Sequence, residues 1–106
     1  MTLRNSIKTL PHVLHGIKSL QYDKKKIKLV FVDDGSTDGS LKTLEEFRDQ
    51  NICEYADIQI ISGDYDVTEG RNECIRHAEG EFLLFIDSDV VVPSDLLIEI
   101  ERLFFF

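Results

Sequence analysis

The fold is decided by one stretch of the chain, residues 27–40, which reads IKLVFVDDGSTDGS. Its first six residues are apolar except for Lys28, and such a run favours a strand that is buried on both faces of a parallel sheet. Asp33 and Asp34 follow at once, and a Gly-Ser-Thr turn comes after them. Because a buried charge is unfavourable unless it is paired or coordinates a ligand, the stretch predicts a polar site at the end of a buried strand.

A second stretch repeats this arrangement, since the apolar residues 82–86 run directly into Asp87-Ser88-Asp89. The carboxyl edge of a parallel sheet is where α/β proteins usually bind ligands, so the two strand ends predict one site. Residues i and i+2 of a strand point to the same face, which would bring the carboxylates of Asp87 and Asp89 together. Two such carboxylates favour a hard divalent cation, and a role in capping the following turn is the alternative.

Length and charge limit the possible partners. The chain has 106 residues, of which 42% are hydrophobic and 30% charged, and its net charge is −8, which indicates a single globular domain over residues 1–106. An acidic chain is a poor partner for nucleic acid, and an acidic pocket would need a divalent cation to bind an anion. Cys53 and Cys74 lack a C-x-x-C spacing, and no secretory signal is recognisable. We therefore expect a cytoplasmic protein, with peripheral attachment at the inner membrane face left open.

Apolar spacing predicts an alternation of helices and strands. The helices are expected near residues 7–20, 41–50, 68–78 and 93–103, and the strands at residues 27–32, 58–61 and 81–86. Pro11 indicates that the first helix starts near Leu10 or bends there. Thr37 or Asp38 is expected to cap the second helix, and Thr68 the third. The alternation predicts an α/β fold in which a parallel sheet carries helices on its faces.

Not every acid in the chain is expected to do chemistry. Among eleven aspartates, about one D-x-D pair is expected by chance, and the pair Asp64 and Asp66 lies in a loop without an apolar run before it. We interpret that pair as a solvated turn. Asp33 and Asp34 face opposite ways, so one can reach a ligand while the other holds the backbone of the turn. Arg71, in the first turn of the third helix, suits a phosphate group or else lies solvated at the surface.

Four segments together resemble the family-two inverting glycosyltransferases of the GT-A fold. Residues 30–40 are similar to the VVDDGSTDGS motif of that family, and residues 70–72 are similar to its ARN segment, with Gly70 where alanine is usual. Residues 78–89 resemble the segment that carries the family's D-x-D motif, and residues 10–20 resemble its first helix. The resemblance covers nearly the whole chain and implies a Rossmann-like parallel sheet with flanking helices.

The resemblance also implies a function, namely metal-dependent transfer of a sugar from a nucleotide-diphosphate donor to an acceptor that is a saccharide or is lipid-linked. By position, Asp34 would recognise the nucleotide base, and Arg71 would assist at the nucleotide. Asp87 would lie against the ribose and the metal, and Asp89 would hold Mg²⁺ or Mn²⁺ on the diphosphate. The metal would act as a Lewis acid that neutralises charge on the leaving diphosphate.

Two departures from the family pattern limit what is expected of this chain. Residues 1–5 keep only the tail of the family's first strand, with Thr2 and Asn5 as remnants of its nucleotide-facing end. The acceptor-binding half and the later carboxylate that serves as general base are missing, so the catalytic base is unknown and we expect little or no transferase activity from the chain alone. Unpaired strand edges would favour a homo-oligomer. The aromatic residues 104–106 are expected to pack on a partner or under further chain.

Two alternatives stay open on the sequence. A non-catalytic module that binds a nucleotide or a protein partner would keep the fold without the chemistry. A phosphoacceptor receiver domain also collects acids at strand ends, but here a helix precedes the first acidic strand and little chain follows Asp87. Metal-dependent nucleotide binding would favour the first alternative over a mere structural remnant, and phosphorylation of Asp87 by a small phosphodonor would support the second.

Overall fold

The predicted parallel sheet is present in the computed structural model, which describes residues 1–104. Its three strands run parallel in the order β1 (Thr2–Leu3), β2 (Lys28–Asp34) and β3 (Asp57–Gly63). The helices of the described chain are α1 (Leu10–Lys18), α2 (Ser40–Asn51), α3 (Val67–His77) and α4 (Leu96–Phe104), with a 3₁₀ turn at Lys24–Lys26. The α/β class is thereby confirmed. Phe105 and Phe106, which belong to the expectation for the terminal aromatics, lie outside the described residues.

The central position of β2 explains its apolar sequence. β3 pairs with β2 along its whole length, and β1 pairs with the end of β2 on the other side. Phe31 and Val32 point to opposite faces of the sheet, and both are buried. α1 and α2 cover the face of Phe31, whose ring packs edge-on against Phe47 at a centroid distance of 6.3 Å. α3 packs over the face of Val32.

The glycine at position 70 has a packing reason. A Cβ atom at Gly70 would lie 3.1 Å from Cγ2 of Thr2 and 3.8 Å from Cγ1 of Val32. The first of these distances is shorter than ordinary van der Waals contact, so the missing side chain lets α3 sit close to β1. Gly70, where alanine is usual in the family, therefore makes room for the side chain of Thr2.

The strand predicted at residues 81–86 is wrong for the described structure. This segment enters no ladder, and the side chains of residues 82–85 are 41–56% exposed instead of buried on both faces. An apolar run becomes a buried strand only where a neighbouring strand supplies hydrogen bonds and covering side chains. β1 offers only Thr2 and Leu3, so within residues 1–104 no strand of comparable length lies beside this segment.

The second helix is capped differently from the prediction. Gly39 is the N-cap residue of α2 and lies in the left-handed region, with φ at 95°. Asp38 nevertheless contributes, because its Oδ1 accepts a hydrogen bond from the N–H of Ser40 at 3.0 Å. The acid therefore satisfies one of the free N–H groups of the first turn without being the cap itself.

The third helix is capped by Asp66, so the cap predicted at Thr68 is wrong. Oδ1 of Asp66 accepts a hydrogen bond from the N–H of Glu69 at 2.7 Å, and Oε1 of Glu69 accepts one from the N–H of Asp66 at 3.2 Å. This reciprocal pair is a capping box, which the D-x-x-E spacing of these two residues encodes.

α4 packs loosely on the rest of the fold. None of its described residues is fully buried, and Leu96 and Leu97 contact the core with part of their surface. The ring of Phe104 lies 5.6 Å from that of Phe82. Within residues 1–104, no helix has the length and apolar character needed to cross a bilayer.

Candidate functional site

Asp33 and Asp34 have different roles at the end of β2. Asp33 is 1% exposed, and its Oδ2 accepts a hydrogen bond from the N–H of Ser36 at 3.2 Å, while its Oδ1 has no partner among residues 1–104. Oδ1 of Asp34 accepts a hydrogen bond from the N–H of Tyr65 at 2.9 Å. Asp33 therefore holds the turn after β2, and Asp34 joins the end of β2 to the loop after β3.

Asp34 lines a first cleft of about 540 Å³, and most of the side chains around it are acidic. The lining residues are Arg4, Asp34, Asp64, Tyr65, Asp66, Val67 and Glu69. Asp66 and Glu69 are engaged in the capping box, whereas the side chain of Asp64 makes no hydrogen bond in the described chain. The turn at Asp64, which the sequence predicts to be solvated, thus also lines a cleft. Arg4 is the basic residue in the lining of that cleft.

Asp38 ties the turn after β2 to the loop after β1. Its Oδ1 accepts a hydrogen bond from the hydroxyl of Ser40 at 2.7 Å, and its Oδ2 accepts one from the N–H of Ile7 at 3.1 Å. The Ser40 hydroxyl is the main cause that holds the pKa of Asp38 below its ordinary value. Oγ of Ser40 in turn accepts a hydrogen bond from the N–H of Ser6 at 2.9 Å. Asp38 is therefore a structural link with both oxygens in use.

Asn5 strengthens the same link. Its backbone lies in the left-handed region, with φ at 49°, which asparagine tolerates better than most residues. Its side-chain oxygen accepts a hydrogen bond from the N–H of Thr37 at 2.8 Å, and its own N–H donates to Oγ of Ser36 at 2.9 Å. The loop after β1 is thus fixed against the loop after β2.

A second cleft, of about 720 Å³, contains both aspartates of the D-x-D motif. The lining residues are Thr2, Asn5, Ser6, Ile7, Lys8, Thr9, Asp38, Asp87, Ser88 and Asp89. Asp87 and Asp89 are exposed, and neither carboxylate makes a hydrogen bond to residues 1–104. The structure therefore brings these two acids together in one cleft, with Lys8 as the basic side chain of its lining.

The turn that carries the two acids is anchored through Ser88. Its Oγ shares a hydrogen bond with Oγ of Ser6 at 3.0 Å, and its carbonyl oxygen accepts one from the hydroxyl of Thr9 at 2.8 Å. The turn itself is closed by the N–H of Val90, which donates to the carbonyl of Asp87 at 3.2 Å. The loop after β1 therefore holds the residue between the two aspartates.

The chain after the turn packs along α1. A Cβ atom at Gly16 would lie 3.2 Å from Cγ1 of Val91, so the glycine lets this segment approach the helix. Val92 is buried in the core, and the N–H of Gln21 donates to the carbonyl of Ser94 at 2.8 Å. The D-x-D turn is thus held on both sides although the segment before it is not a strand.

The carboxylate oxygens of the second cleft suit a hard cation that is bound jointly by the protein and by a ligand. No group of three histidine, cysteine, aspartate or glutamate side chains with metal-site geometry occurs among residues 1–104. Mg²⁺ is commonly bound by one or two carboxylates, with phosphate oxygens and water in the other positions. The free carboxylates of Asp87 and Asp89 match the protein share of such a site, and the remaining ligands would come from a phosphate and water.

Arg71 lines neither cleft. It is exposed on α3, and the carbon at the centre of its guanidinium lies 5.8 Å from the centroid of the Phe85 ring, in a cation–π contact. A role of Arg71 at the nucleotide stays a prediction. Sequence reasoning pointed to Thr2 and Asn5, which line the second cleft, but it missed the other site residues between β1 and α1, of which Arg4, Lys8 and Thr9 belong to no motif.

A family model described as Glycosyl transferase family 2 matches residues 1–104 of the chain. The chain belongs to this family. The resemblance of its four segments to family-two glycosyltransferases is thereby confirmed, and the receiver-domain alternative loses its support.

Two curated relatives illustrate the extent of the likeness. Poly(ribitol-phosphate) beta-N-acetylglucosaminyltransferase TarS of Staphylococcus aureus is 32% identical over 93 residues, which cover 88% of this chain and 16% of TarS. Poly-beta-1,6-N-acetyl-D-glucosamine synthase of Staphylococcus epidermidis is 28% identical over 91 residues, which cover 86% of this chain and 21% of the synthase. The chain thus spans a minor part of the length of these relatives.

Solved structures of TarS are similar in fold to this chain. The crystal structure of residues 1–349 of S. aureus TarS matches with a TM-score of 0.83 at 27% identity, over 95% of this chain and 29% of that one. Crystal structures of the same part of TarS in complex with UDP and with UDP-GlcNAc match with a TM-score of 0.82. The three-stranded parallel sheet with flanking helices therefore corresponds to the N-terminal region of this glycosyltransferase.

Proposed function

We propose that residues 1–106 form the donor-binding region of a metal-dependent glycosyltransferase, which binds a nucleotide-diphosphate sugar. One observation carries the proposal. Asp87 and Asp89 lie in a single cleft with carboxylates that no described residue engages, on a turn that the rest of the fold holds in place. Family membership supports the enzyme class, and the UDP and UDP-GlcNAc complexes of TarS support uridine nucleotides as the first ligands to test.

Asp34 would bind the base in the first cleft. Its Oδ1 is engaged with the N–H of Tyr65, whereas its Oδ2 makes no hydrogen bond in the described chain and is left to accept one from a base N–H. Arg71 would assist at the nucleotide from α3. The loop of residues 4–9 lines the first cleft with Arg4 and the second with residues 5–9, so a nucleotide with its base in one cleft and its diphosphate in the other would cross this loop.

Asp87 and Asp89 would hold Mg²⁺ or Mn²⁺, with Asp87 also lying against the ribose. The bound metal would supply Lewis-acid stabilisation of negative charge on the leaving diphosphate. Lys8 lies in the same cleft and would add positive charge near the phosphates. Asp38 lies there too, but its oxygens already accept hydrogen bonds from Ser40 and Ile7.

The acceptor side of the reaction has no assigned residue. Every carboxylate that lines the second cleft is either engaged, as in Asp38, or already given to the metal, so no general base is proposed within residues 1–104. The acceptor would be a saccharide or a lipid-linked molecule, and the protein would work in the cytoplasm or at the inner membrane face. We expect little or no sugar transfer from the 106-residue chain alone, and robust transfer would contradict this.

The same observation favours a second candidate, a nucleotide-binding module without catalysis. The two candidates share the donor site and differ in turnover. Sustained release of UDP from UDP-GlcNAc in the presence of Mn²⁺ would exclude the binding module, whereas binding without release is the result that both candidates predict for the chain alone.

The roles at the base are tested by titrating UDP in the presence of Mn²⁺. Asp34→Asn keeps an oxygen for the N–H of Tyr65 but replaces the other carboxylate oxygen with an amide donor. Loss of one charged hydrogen bond should raise the Kd for UDP about 10-fold. Asp64→Asn is the matched control, since Asp64 lines the same cleft without a hydrogen bond in the described chain. An unchanged Kd in Asp34→Asn would remove Asp34 from the site.

A further inference from the structure

Thr9 stands at a position where its hydroxyl would ordinarily serve its own helix. It is the N-cap residue of α1, and an N-cap threonine normally accepts a hydrogen bond from an N–H of the first turn. In this chain the side chain of Thr9 makes no such capping bond. The helix therefore lacks the stabilisation that a capping side chain usually provides, and the hydroxyl of Thr9 is bonded elsewhere.

That purpose is visible in the contacts of the hydroxyl. It lies 2.8 Å from the carbonyl oxygen of Ser88 and 3.3 Å from that of Ser6. A hydroxyl has one proton to donate, and the shorter distance assigns it to Ser88. A second bond reaches the same residue, because Oγ of Ser6 and Oγ of Ser88 are 3.0 Å apart.

Ser88 is the residue between the two aspartates of the D-x-D motif. Both carboxylates are free of hydrogen bonds to residues 1–104. The backbone of the turn therefore sets the positions from which the two side chains extend. Two bonds to Ser88, one at its carbonyl and one at its hydroxyl, limit the rotation of that backbone. The anchor is in turn tied to the start of α2, because the N–H of Ser6 donates to Oγ of Ser40, whose hydroxyl donates to Asp38.

We propose that Thr9 and Ser6 are positioning residues for the divalent cation, which they influence by fixing Ser88 and thereby the spacing of the Asp87 and Asp89 carboxylates. The inference rests on the proposed function, since it presumes that these carboxylates bind the metal. It goes beyond it by placing part of the metal affinity in a loop that touches neither carboxylate through a hydrogen bond. Residues that orient metal ligands commonly change metal affinity 10- to 100-fold when they are replaced.

The test measures Mn²⁺ binding to the full 106-residue chain by electron paramagnetic resonance of the free ion, with a thermal melt of each variant. Thr9→Val removes the hydroxyl at nearly constant shape, and we expect the Kd for Mn²⁺ to rise about 10-fold with little change in melting temperature. Thr9→Ser restores a hydroxyl and should return the Kd to within about twofold of wild type. Thr43→Val is the matched control, because the hydroxyl of Thr43 also donates to a carbonyl, that of Gly39, at a surface position.

The outcomes separate the two proposals. A wild-type chain that binds no Mn²⁺, with or without UDP, overturns the proposed metal site. Wild-type binding with an unchanged Kd in Thr9→Val overturns the positioning role alone, as does a loss that Thr9→Ser fails to restore. If Thr9→Val does not fold, Ser6→Ala decides the matter, since it removes the hydroxyl pair with Ser88 and leaves the Thr9 bonds in place; an unchanged Kd there counts against the proposal.

Discussion

At the residue scale, the site is defined by which carboxylate oxygens the fold has already used. Asp33 and Asp38 lie in the same motif as Asp34, but Asp33 is buried against the turn and Asp38 has both oxygens bonded. Asp87 and Asp89 are free of such bonds within the described chain. Most carboxylates of residues 33–38 therefore stabilise the fold. The oxygens left to a ligand are Oδ2 of Asp34 and the carboxylates of Asp87 and Asp89.

The engaged state of Asp38 predicts a pH dependence of stability. Its pKa in the folded chain lies below the ordinary value of 3.8, chiefly because of the Ser40 hydroxyl, so the unfolded chain takes up the proton more readily. The contribution of Asp38 is then complete above pH 3.8 and is lost as the pH falls through the folded pKa. We expect Asp38→Asn to be less stable than wild type at neutral pH, with a difference that shrinks in acid. Urea unfolding between pH 7 and pH 2 measures it.

A matched variant gives the baseline for that series. Asp64 is exposed and makes no hydrogen bond in the described chain, so Asp64→Asn should differ little from wild type at any pH. A stability difference for Asp38→Asn that stays constant down to pH 2 would show that the carboxylate charge is not what the fold uses.

The sequence was sufficient to locate the acidic residues of the site, but it did not show which of them are already hydrogen-bonded within the fold. The apolar runs before Asp34 and Asp87 mark both ends of the site, because such runs are unusual before a charge. The engagement of Asp38 depends on the hydroxyl of Ser40, two residues away, and on the N–H of Ile7, a contact across 31 positions that no local pattern reports. Thr9 is likewise recognisable as a possible cap, and only the structure shows that its hydroxyl turns to Ser88.

At the element scale, two similar apolar runs differ in structure, because only one of them forms a strand. Residues 28–32 form part of a central strand that β1 and β3 flank, whereas residues 82–86 enter no ladder and form no strand. Composition sets the tendency to extend, and the neighbours decide whether a ladder forms. The parallel sheet and its helices were therefore predictable, and the extent of the sheet was not.

The capping box at the start of α3 gives a second prediction. Asp66→Ala removes the side chain that accepts from the N–H of Glu69 at 2.7 Å and should lower the free energy of unfolding by about 1 kcal/mol. Asp66→Asn keeps a capping oxygen and should lose much less. Asp64→Ala, two residues earlier and without a cap, controls for the loss of charge in the loop. Equal stabilities for Asp66→Ala and Asp64→Ala in urea would refute the role of the box.

At the scale of the whole molecule, the loop of residues 4–9 connects the parts of the site. It lines the cleft of Asp34 with Arg4 and the cleft of Asp87 and Asp89 with most of its other residues. Its hydrogen bonds reach the turn after β2 on one side and Ser88 on the other. Base recognition and metal binding therefore share one piece of backbone, and a change in this loop should affect both.

The apolar surface of residues 82–85 predicts self-association of the chain. Leu83 and Leu84 are more than two-fifths exposed in a segment that enters no ladder, and such surfaces favour association. Analytical ultracentrifugation should give an average mass above 12.2 kDa that rises with concentration. Leu84→Lys should lower it, whereas Ile52→Lys, at an equally exposed position after α2, should not. A wild-type mass of one chain at all concentrations would contradict the expected homo-oligomer.

If the two free carboxylates of the D-x-D turn hold a divalent cation on a nucleotide diphosphate, the binding of the nucleotide must depend on that cation. The most direct measurement is calorimetric titration of UDP into the chain with and without Mn²⁺, for wild type and Asp89→Ala. We predict that wild type binds UDP at least about 10-fold more tightly with Mn²⁺ than without, and that Asp89→Ala abolishes this difference. UDP binding that Mn²⁺ does not strengthen, or that Asp89→Ala leaves as strongly dependent on Mn²⁺ as wild type, would contradict the account.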